Sequence, residues 1–293
     1  MAFLFAFAAA LAVQAPPAPA GAAPAADQAI VVTGQKDSGK VVDDFVRSLT
    51  TTTSGGQLSR FEHEVCPAVF GLAKPQADAV AARIRLVAKS VGIVVGGVHC
   101  TPNVLLLVTS DKKAFFEELR RHRSDDFGLS DRRFRELEDA PGPAAAWQVN
   151  GPAMTADGVD LTEDTTQGVV VNRTVDPSSR ITVQVHPQFD ASIVVVERKA
   201  LLGLTTTQLA DYTAIRALTG ADPARLAGSA APTILHVLEV PIGGEAPITM
   251  TEWDYGFLSS YYDARRDLRL GAQRSAIARA MDEQLGVKAP KRQ

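Results

Sequence analysis

The chain has 293 residues, 46% of them hydrophobic and 22% charged, and a formal net charge of −3. These figures exclude pervasive disorder, a collagen-like repeat and a disulfide-dense miniprotein, and they give no overall field that would recruit nucleic acid or an anionic membrane surface. The length fits one generous domain or two modest ones.

Residues 1–26 carry no charged side chain, and Phe3 to Val13 is an apolar run. That run is shorter than the ~20 residues a membrane span needs. Small residues such as Ala18-Pro19-Ala20 follow it, so 1–26 reads as a secretory signal peptide, with an uncleaved anchor as the alternative. The mature protein is expected to be soluble and periplasmic or secreted, with no membrane insertion after signal cleavage. Residues 27–57 read as an extended N-terminal segment and linker. Within it, Ala29 to Thr33 is strand-like, Val41 to Leu49 has the spacing of a short amphipathic helix, and Thr50 to Gly56 is a Thr/Ser/Gly stretch.

Residues 58–286 are expected to form one compact α+β unit, followed by a tail at 287–293. Its first half, 58–140, reads as β-α-β-α. Phe61 to Val69 is a strand, and Pro75 opens a helix with Val80, Ile84, Val87 and Val91 on one face and Gly92 at its end. After a short strand at Ile93 to Val95, Val104 to Val108 is a fully apolar strand. A helix capped by Ser110 or Asp111 then runs through Phe115, Phe116 and Leu119 to a basic cluster that complements its dipole. After a short helix over Ser130 to Glu138 broken by Pro141-Gly142-Pro143, 145–200 reads as β-rich. Its strands are Trp147 to Val149, Val169 to Val175, Arg180 to His186 and Ile193 to Val196. The third of these alternates, with Ile181, Val183 and Val185 inward and Thr182, Gln184 and His186 outward. The last part, 205–286, reads as helical. Thr205/Gln208 and Thr249/Glu252 have capping-box spacing, and a final helix runs from Ala272 to Leu285.

Cys66 and Cys100 are the only cysteines. In an oxidising compartment the simplest reading is a disulfide, stabilising by about 3–4 kcal/mol in the chain-entropy model. Two free thiols are one alternative. A Cys2His2 metal set with His63 and His99 is another, although adjacent His99 and Cys100 point to opposite sides of an extended strand. No metal and no cofactor are therefore expected. Gly34-x-x-x-x-Gly39-Lys40 has the spacing of a phosphate loop. However, Val41 stands where the Mg²⁺-holding hydroxyl belongs, and the segment follows an export signal, so it reads as a polar linker.

Hydrolase signatures are absent: there is no His-Glu-x-x-His and no Gly-x-Ser-x-Gly. The acidic pairs Asp43-Asp44, Glu62/Glu64 and Asp125-Asp126 read as solvated surface, and Asn172-Arg173-Thr174 has the form of a glycosylation acceptor. His186, beside Gln184, is a candidate cleft residue on the polar face of its strand. Trp253, Tyr255 and Tyr261 are candidate partner contacts, because polar-tipped aromatics suit binding surfaces.

Ile30-Val31-Val32-Thr33-Gly34 resembles the short sequence near the mature N-terminus of TonB-dependent outer-membrane receptors. The resemblance implies an extended peptide that engages a partner by strand addition, which makes Ile30, Val31 and Val32 candidate contacts. Phe45-Val46-Arg47-Ser48-Leu49, Gln57-Leu58-Ser59-Arg60-Phe61, Val65-Cys66-Pro67 through Gly71-Leu72, Cys100-Thr101-Pro102-Asn103, Gln208-Leu209-Ala210-Asp211-Tyr212 and Trp253-Asp254-Tyr255 together resemble a group of uncharacterised exported proteins of alphaproteobacteria. This resemblance spans about residues 41–285. It implies a common fold, export and a bridge between the two cysteine motifs, and it carries no reaction and no catalytic residue. The leading expectation is a non-enzymatic envelope module that binds an envelope protein or a small ligand. The alternative is an envelope hydrolase with an unfamiliar site around His186 or the His63/His99 region.

Overall fold

The structure, a computed structural model, describes residues 38–50, 56–123, 128–161, 163–164, 169–170 and 183–286. The expected signal at 1–26, the Ile30–Gly34 peptide, the Asp125-Asp126 pair, Asn172, the stretch 171–182 and the tail at 287–293 lie outside the described residues.

Helix α1, Ser38–Leu49, turns Val42, Phe45, Val46 and Leu49 inward, all of them at most 1% exposed. Spacings of three and four residues put these side chains on one stripe. Phe45 meets Trp253 and Phe257 edge-on, with ring centroids 5.4 and 6.0 Å apart. α1, read in the sequence as part of an extended segment and linker, thus packs into the same core as the residues from 58 onward.

The central sheet has four strands in the order β1 (Pro67–Phe70), β2 (Val104–Thr109), β8 (Phe189–Glu197), β3 (Ala144–Asn150). β1, β2 and β8 are parallel, pairing Pro67 with Val104 and Val104 with Ser192. β3 closes the row antiparallel, pairing Trp147 with Ile193. β2 alternates between the two faces. Val104, Leu106 and Val108 join Val194 and Val196 in a large core with α1, α2 (Lys74–Ser90), α5 (Thr206–Thr219), α6 (Glu252–Asp263) and α7 (Leu270–Gln284). Leu105, Leu107, Ile193, Val195, Ala145 and Trp147 face a second core built on Phe116 of α3 (Lys112–Arg123) and on Phe134 and Leu137 of α4 (Asp131–Glu138). Helices thus cover both faces, as a mostly parallel sheet requires. The mixed α+β class and the Cys66–Cys100 disulfide are as expected.

Several elements differ from their sequence pattern. The strand expected over Phe61 to Val69 is confined to Pro67–Phe70, because only from Pro67 onward does β2 lie alongside to bond it. Before that point Arg60 and Val65 make single bridges to Gln188 and Val95, and Val95 forms no longer strand. β4 (Met154–Thr155) pairs with β7 (Val185–His186), and β5 (Glu163–Asp164) with β6 (Val169–Val170), in two small ribbons apart from the main sheet. The expected alternation at the third strand does not appear among its described residues: Val183, Gln184 and Val185 are all half-buried, and His186, expected outward, is 5% exposed. A two-residue ribbon strand does not share the inward face of the main sheet, so the period-2 pattern does not carry over.

The box at Thr205 and Gln208 caps α5 as read. At α6 the reciprocal pair is Thr251 and Asp254, two residues later than expected, since Thr249 spends its hydroxyl on Asp211. Asp111 caps α3 through the amide of Ala114 at 2.8 Å.

Phe45→Ala should cost about 3–5 kcal/mol of stability by urea unfolding. A change of less than about 0.5 kcal/mol, typical of an exposed linker position, would remove α1 from the core.

Candidate functional site

The disulfide consumes both thiols, which removes the Cys2His2 alternative. Among the described residues no group of three or more His, Cys, Asp or Glu side chains could hold a metal ion. Arg85 Nη2 lies 3.5 Å from Cys100 Sγ, and its Nη1 donates to the Gly96 carbonyl at 2.6 Å, which fixes the loop that carries the bridge. His63 turns away from this loop and meets Asp160 at 3.3 Å.

His186 sits in a buried ionic cluster rather than on an open cleft wall. Its Nε2 is 3.7 Å from Glu62 Oε1, beyond hydrogen-bond range, and has no hydrogen-bond partner among the described residues. Glu62 is corrected from solvated surface to interior: its side chain is 6% exposed, and Arg266 Nε approaches it at 2.8 Å. Arg60 stands beside it, 1% exposed. Its Nη1 donates to the carbonyls of Tyr262 and Ala264, both at 2.9 Å, and its guanidinium lies over the rings of Tyr261 and Tyr262. Burial holds the His186 imidazole below its ordinary value, against the pull of Glu62 and with help from Arg266 and Arg60. The carboxylate is engaged by Arg266, and Arg60 by the carbonyls of Tyr262 and Ala264, an arrangement that ties the segment at 60–62 to the end of α6, with the His186 imidazole buried beside it. Gln184, the other cleft candidate, is half-buried, and its carbonyl accepts from the Ala156 amide at 3.0 Å.

The aromatic candidates separate. Tyr261 is 1% exposed and donates to the Ser59 carbonyl at 2.6 Å, so it is a core residue and offers no contact surface. Trp253 is half-buried against Phe45. Tyr255 alone is open, at 44% exposure. It borders a shallow groove of about 820 Å³ with Leu86, Met250 and Leu285. Its hydroxyl donates to the Ser90 carbonyl at 3.2 Å. Above this groove Asp211, fully buried, accepts from Arg83 Nε at 2.7 Å, Thr249 Oγ1 at 2.6 Å and the Met250 amide at 2.7 Å.

The most distinctive site lies along β3. The Glu197 amide donates to the Pro143 carbonyl at 2.8 Å, which sets the phase of the antiparallel ladder. Alternate residues of such a pair bond their neighbour and then face away. With the register of 145 to 195 and 147 to 193, the N–H and C=O groups of Ala144, Ala146 and Gln148 point away from β8. They open into a cavity of about 700 Å³. One wall is α4, with Arg133, Glu136 and Leu137. The other is formed by Tyr212 and Arg216 of α5 and by Leu235, Leu238 and Glu239 beyond it. Gln148 reaches sideways, donating from Nε2 to the Arg216 carbonyl at 3.0 Å and to Ser192 Oγ at 3.3 Å. Gly220 ends α5 at φ +70°, and a Cβ there would come within 3.0 Å of Gln148 Oε1, so both its conformation and its contact call for glycine.

Both helical layers therefore extend past the last strand of the sheet. Strands lie ~4.8 Å apart between layers ~10 Å apart and advance ~3.4 Å per residue, or roughly 160 Å³ each. On that scale the cavity holds about four residues of one further strand. The sequence pattern placed a strand only over Trp147 to Val149, whereas β3 begins at Ala144, and it attached no function to Ala144-Ala145-Ala146, since which strand lies at an edge is a property of topology. The one signal available was the run of small residues between Pro143 and Trp147.

No protein-family model matches the chain, and neither the curated proteins nor the solved structures contain a detectable relative. No helix among the described residues is long and apolar enough to cross a membrane.

Because the His186 imidazole is held below its ordinary value near 6.5, the unfolded chain binds a proton more readily than the folded one. Its contribution to stability is complete above that pH and falls as pH drops through it, by at most about 1.4 kcal/mol per pH unit. Urea unfolding between about pH 7.5 and 5 should show a steeper loss in the wild type than in His186→Gln. Parallel curves would mean that the imidazole is solvated and paired.

Proposed function

We propose that this protein is an exported, non-catalytic envelope module that binds an extended peptide by strand addition to the free edge of β3. One observation carries the reading: Ala144, Ala146 and Gln148, whose N–H and C=O groups the register turns away from β8 and toward no described strand, line a cavity with room for one strand. An unpaired strand edge is a template for another chain, and main-chain bonds supply the affinity of such complexes. The side chains of Ala144 and Ala146 leave space for a guest backbone to come close. Export is supported by the charge-free N-terminal stretch, by the disulfide and by the resemblance to exported proteins. The hydrolase alternative has less support, because His186 and Glu62 are buried side by side rather than on an open cleft, with Glu62 held by Arg266 at 2.8 Å and Arg60 beside it.

Six main-chain bonds at about 1 kcal/mol net each, less the cost of ordering the peptide, set the affinity at roughly tens of micromolar or weaker unless side chains add to it. Selection from a random short-peptide library against the folded protein should return binders that slow hydrogen exchange at the amides of Ala144, Ala146 and Gln148. Ala146→Pro removes an outward N–H while leaving the ladder to β8 intact, and proline is tolerated on an edge strand. It should weaken those peptides by roughly tenfold or more. Peptides that bind while the three amides exchange as before would refute strand addition at β3.

A further inference from the structure

Arg216 is 6% exposed, and its guanidinium forms part of the α5 wall of the β3 slot. Its Nη1 donates to the Tyr212 hydroxyl at 2.7 Å, and its Nε reaches the Ala221 carbonyl at 3.4 Å. Cζ lies 5.5 Å from the Tyr212 ring centroid. No carboxylate is hydrogen-bonded to it among the described residues. The nearest, Asp222, is 4.0 Å from Nη2 and half exposed, and its Oδ1 accepts from the Ala224 amide at 3.2 Å, capping the turn at Pro223–Leu226. Buried cations are ordinarily paired, and a guanidinium offers a planar fork that matches a carboxylate.

We infer that Arg216 is the specificity-determining residue of the slot and selects a guest strand carrying an aspartate or glutamate side chain. The inference rests on the strand-addition reading. A strand added to β3 points alternate side chains toward α4 and toward α5, so every second guest residue faces the wall that carries Arg216. The other acids of the slot do not reverse this preference. Glu136 is paired with Arg132 and Arg133, and Glu239 with His236, all at 3.0 to 3.3 Å and all on solvated rims. Solvent and salt screen those rim charges more than they screen the buried guanidinium. The carboxylate that Arg216 selects belongs to a side chain rather than to a chain end. The slot lining runs on to Ala140–Pro143 and to Ala221–Ala224, so a guest can pass through it.

The test uses the full folded chain and three synthetic peptides. The first is acetyl-Lys-Thr-Val-Thr-Glu-Thr-Val-Lys-amide. The second carries Gln in place of Glu, and the third is the Gln peptide with a free C-terminal carboxylate. Binding is read by fluorescence anisotropy, and the site by hydrogen exchange at Ala144, Ala146 and Gln148. The Glu peptide should bind the wild type about tenfold more tightly than either Gln peptide. That preference should vanish in Arg216→Met and survive in Arg216→Lys, with thermal unfolding confirming that each variant is folded. If Arg216→Met does not fold, the wild-type comparison and its shrinkage at high salt still decide the matter. Equal binding of the Glu and Gln peptides, with the three amides protected, would overturn the role of Arg216 and leave strand addition standing. Preference for the free C-terminal carboxylate would overturn the side-chain source. Failure of all three peptides to protect the amides at about 1 mM would overturn the strand-addition reading on which the inference rests.

Discussion

A helix buried along its whole length has to satisfy its own polar side chains, and the arrangement of this fold follows from how α5 does so. Every residue from Gln208 to Thr219 is buried. Thr213 and Thr219 donate back to the carbonyls four residues earlier, both at 2.7 Å. Asp211 cannot close on its own helix. It takes Arg83 from α2 as well as Thr249 and the Met250 amide from the chain that leads into α6. Removing one partner of a buried ion pair strands the other charge, typically at about 3–5 kcal/mol. Asp211 therefore locks α2, α5 and the start of α6 together, and the direction it gives α5 sets where Tyr212 and Arg216 stand as a wall beside β3.

The slot is the remainder of that packing. β1, β2 and β8 follow one another in parallel with helices on both faces, while β3 joins antiparallel at the edge. Natural edges are usually blunted by charge, by a bulge or by cover. Here the bulge comes only at Val149/Asn150, after the open stretch, and Pro143 precedes it. The edge between them is sheltered by two helical layers that exclude a second sheet but leave room for a single chain. Shelter of this kind protects against indiscriminate edge-to-edge pairing while keeping the backbone groups accessible, and a peptide-binding edge needs both.

Much of this was legible in local pattern. Val80, Ile84 and Val87 on one helical face, the unbroken Val104 to Val108 run, the Thr205/Gln208 box and the cysteine pair all report on local periodicity or on covalent chemistry, and each stands as read. Errors fell where tertiary context overrides pattern. Val42, Phe45 and Val46 had the right helical spacing, but the Thr/Ser/Gly stretch after them suggested a boundary that Phe45 crosses by packing on Trp253 and Phe257. Tyr261 and Tyr255 look alike in sequence, yet one caps Ser59 in the core and the other borders a groove. The slot was the least legible feature. The edge position of β3 is decided by strand order, and its walls come from α4 and α5, more than sixty residues apart along the chain.

Three of the buried ionic groups among the described residues differ in how completely they are paired. Arg83 and Asp211 satisfy each other through two short bonds, and the hydroxyl and amide around them complete the carboxylate's shell. Glu62 holds Arg266 at 2.8 Å and stands beside Arg60, so that proton uptake by His186 would add a positive charge where two already flank one negative; that excess helps to keep the imidazole neutral. The Arg83–Asp211 group is fully bonded and suits architecture, while the Glu62 cluster leaves Arg60 Nη2 and His186 Nε2 without a hydrogen-bond partner among the described residues. At Arg216 the nearest carboxylate stands 4.0 Å away and caps a turn, while the residue lines a cavity shared with a β3 edge that no described strand covers. At Arg216 a distant, half-exposed carboxylate coincides with a β3 edge that no described strand covers, and in the strand-addition reading a guest chain would supply both the backbone partners and a closer carboxylate.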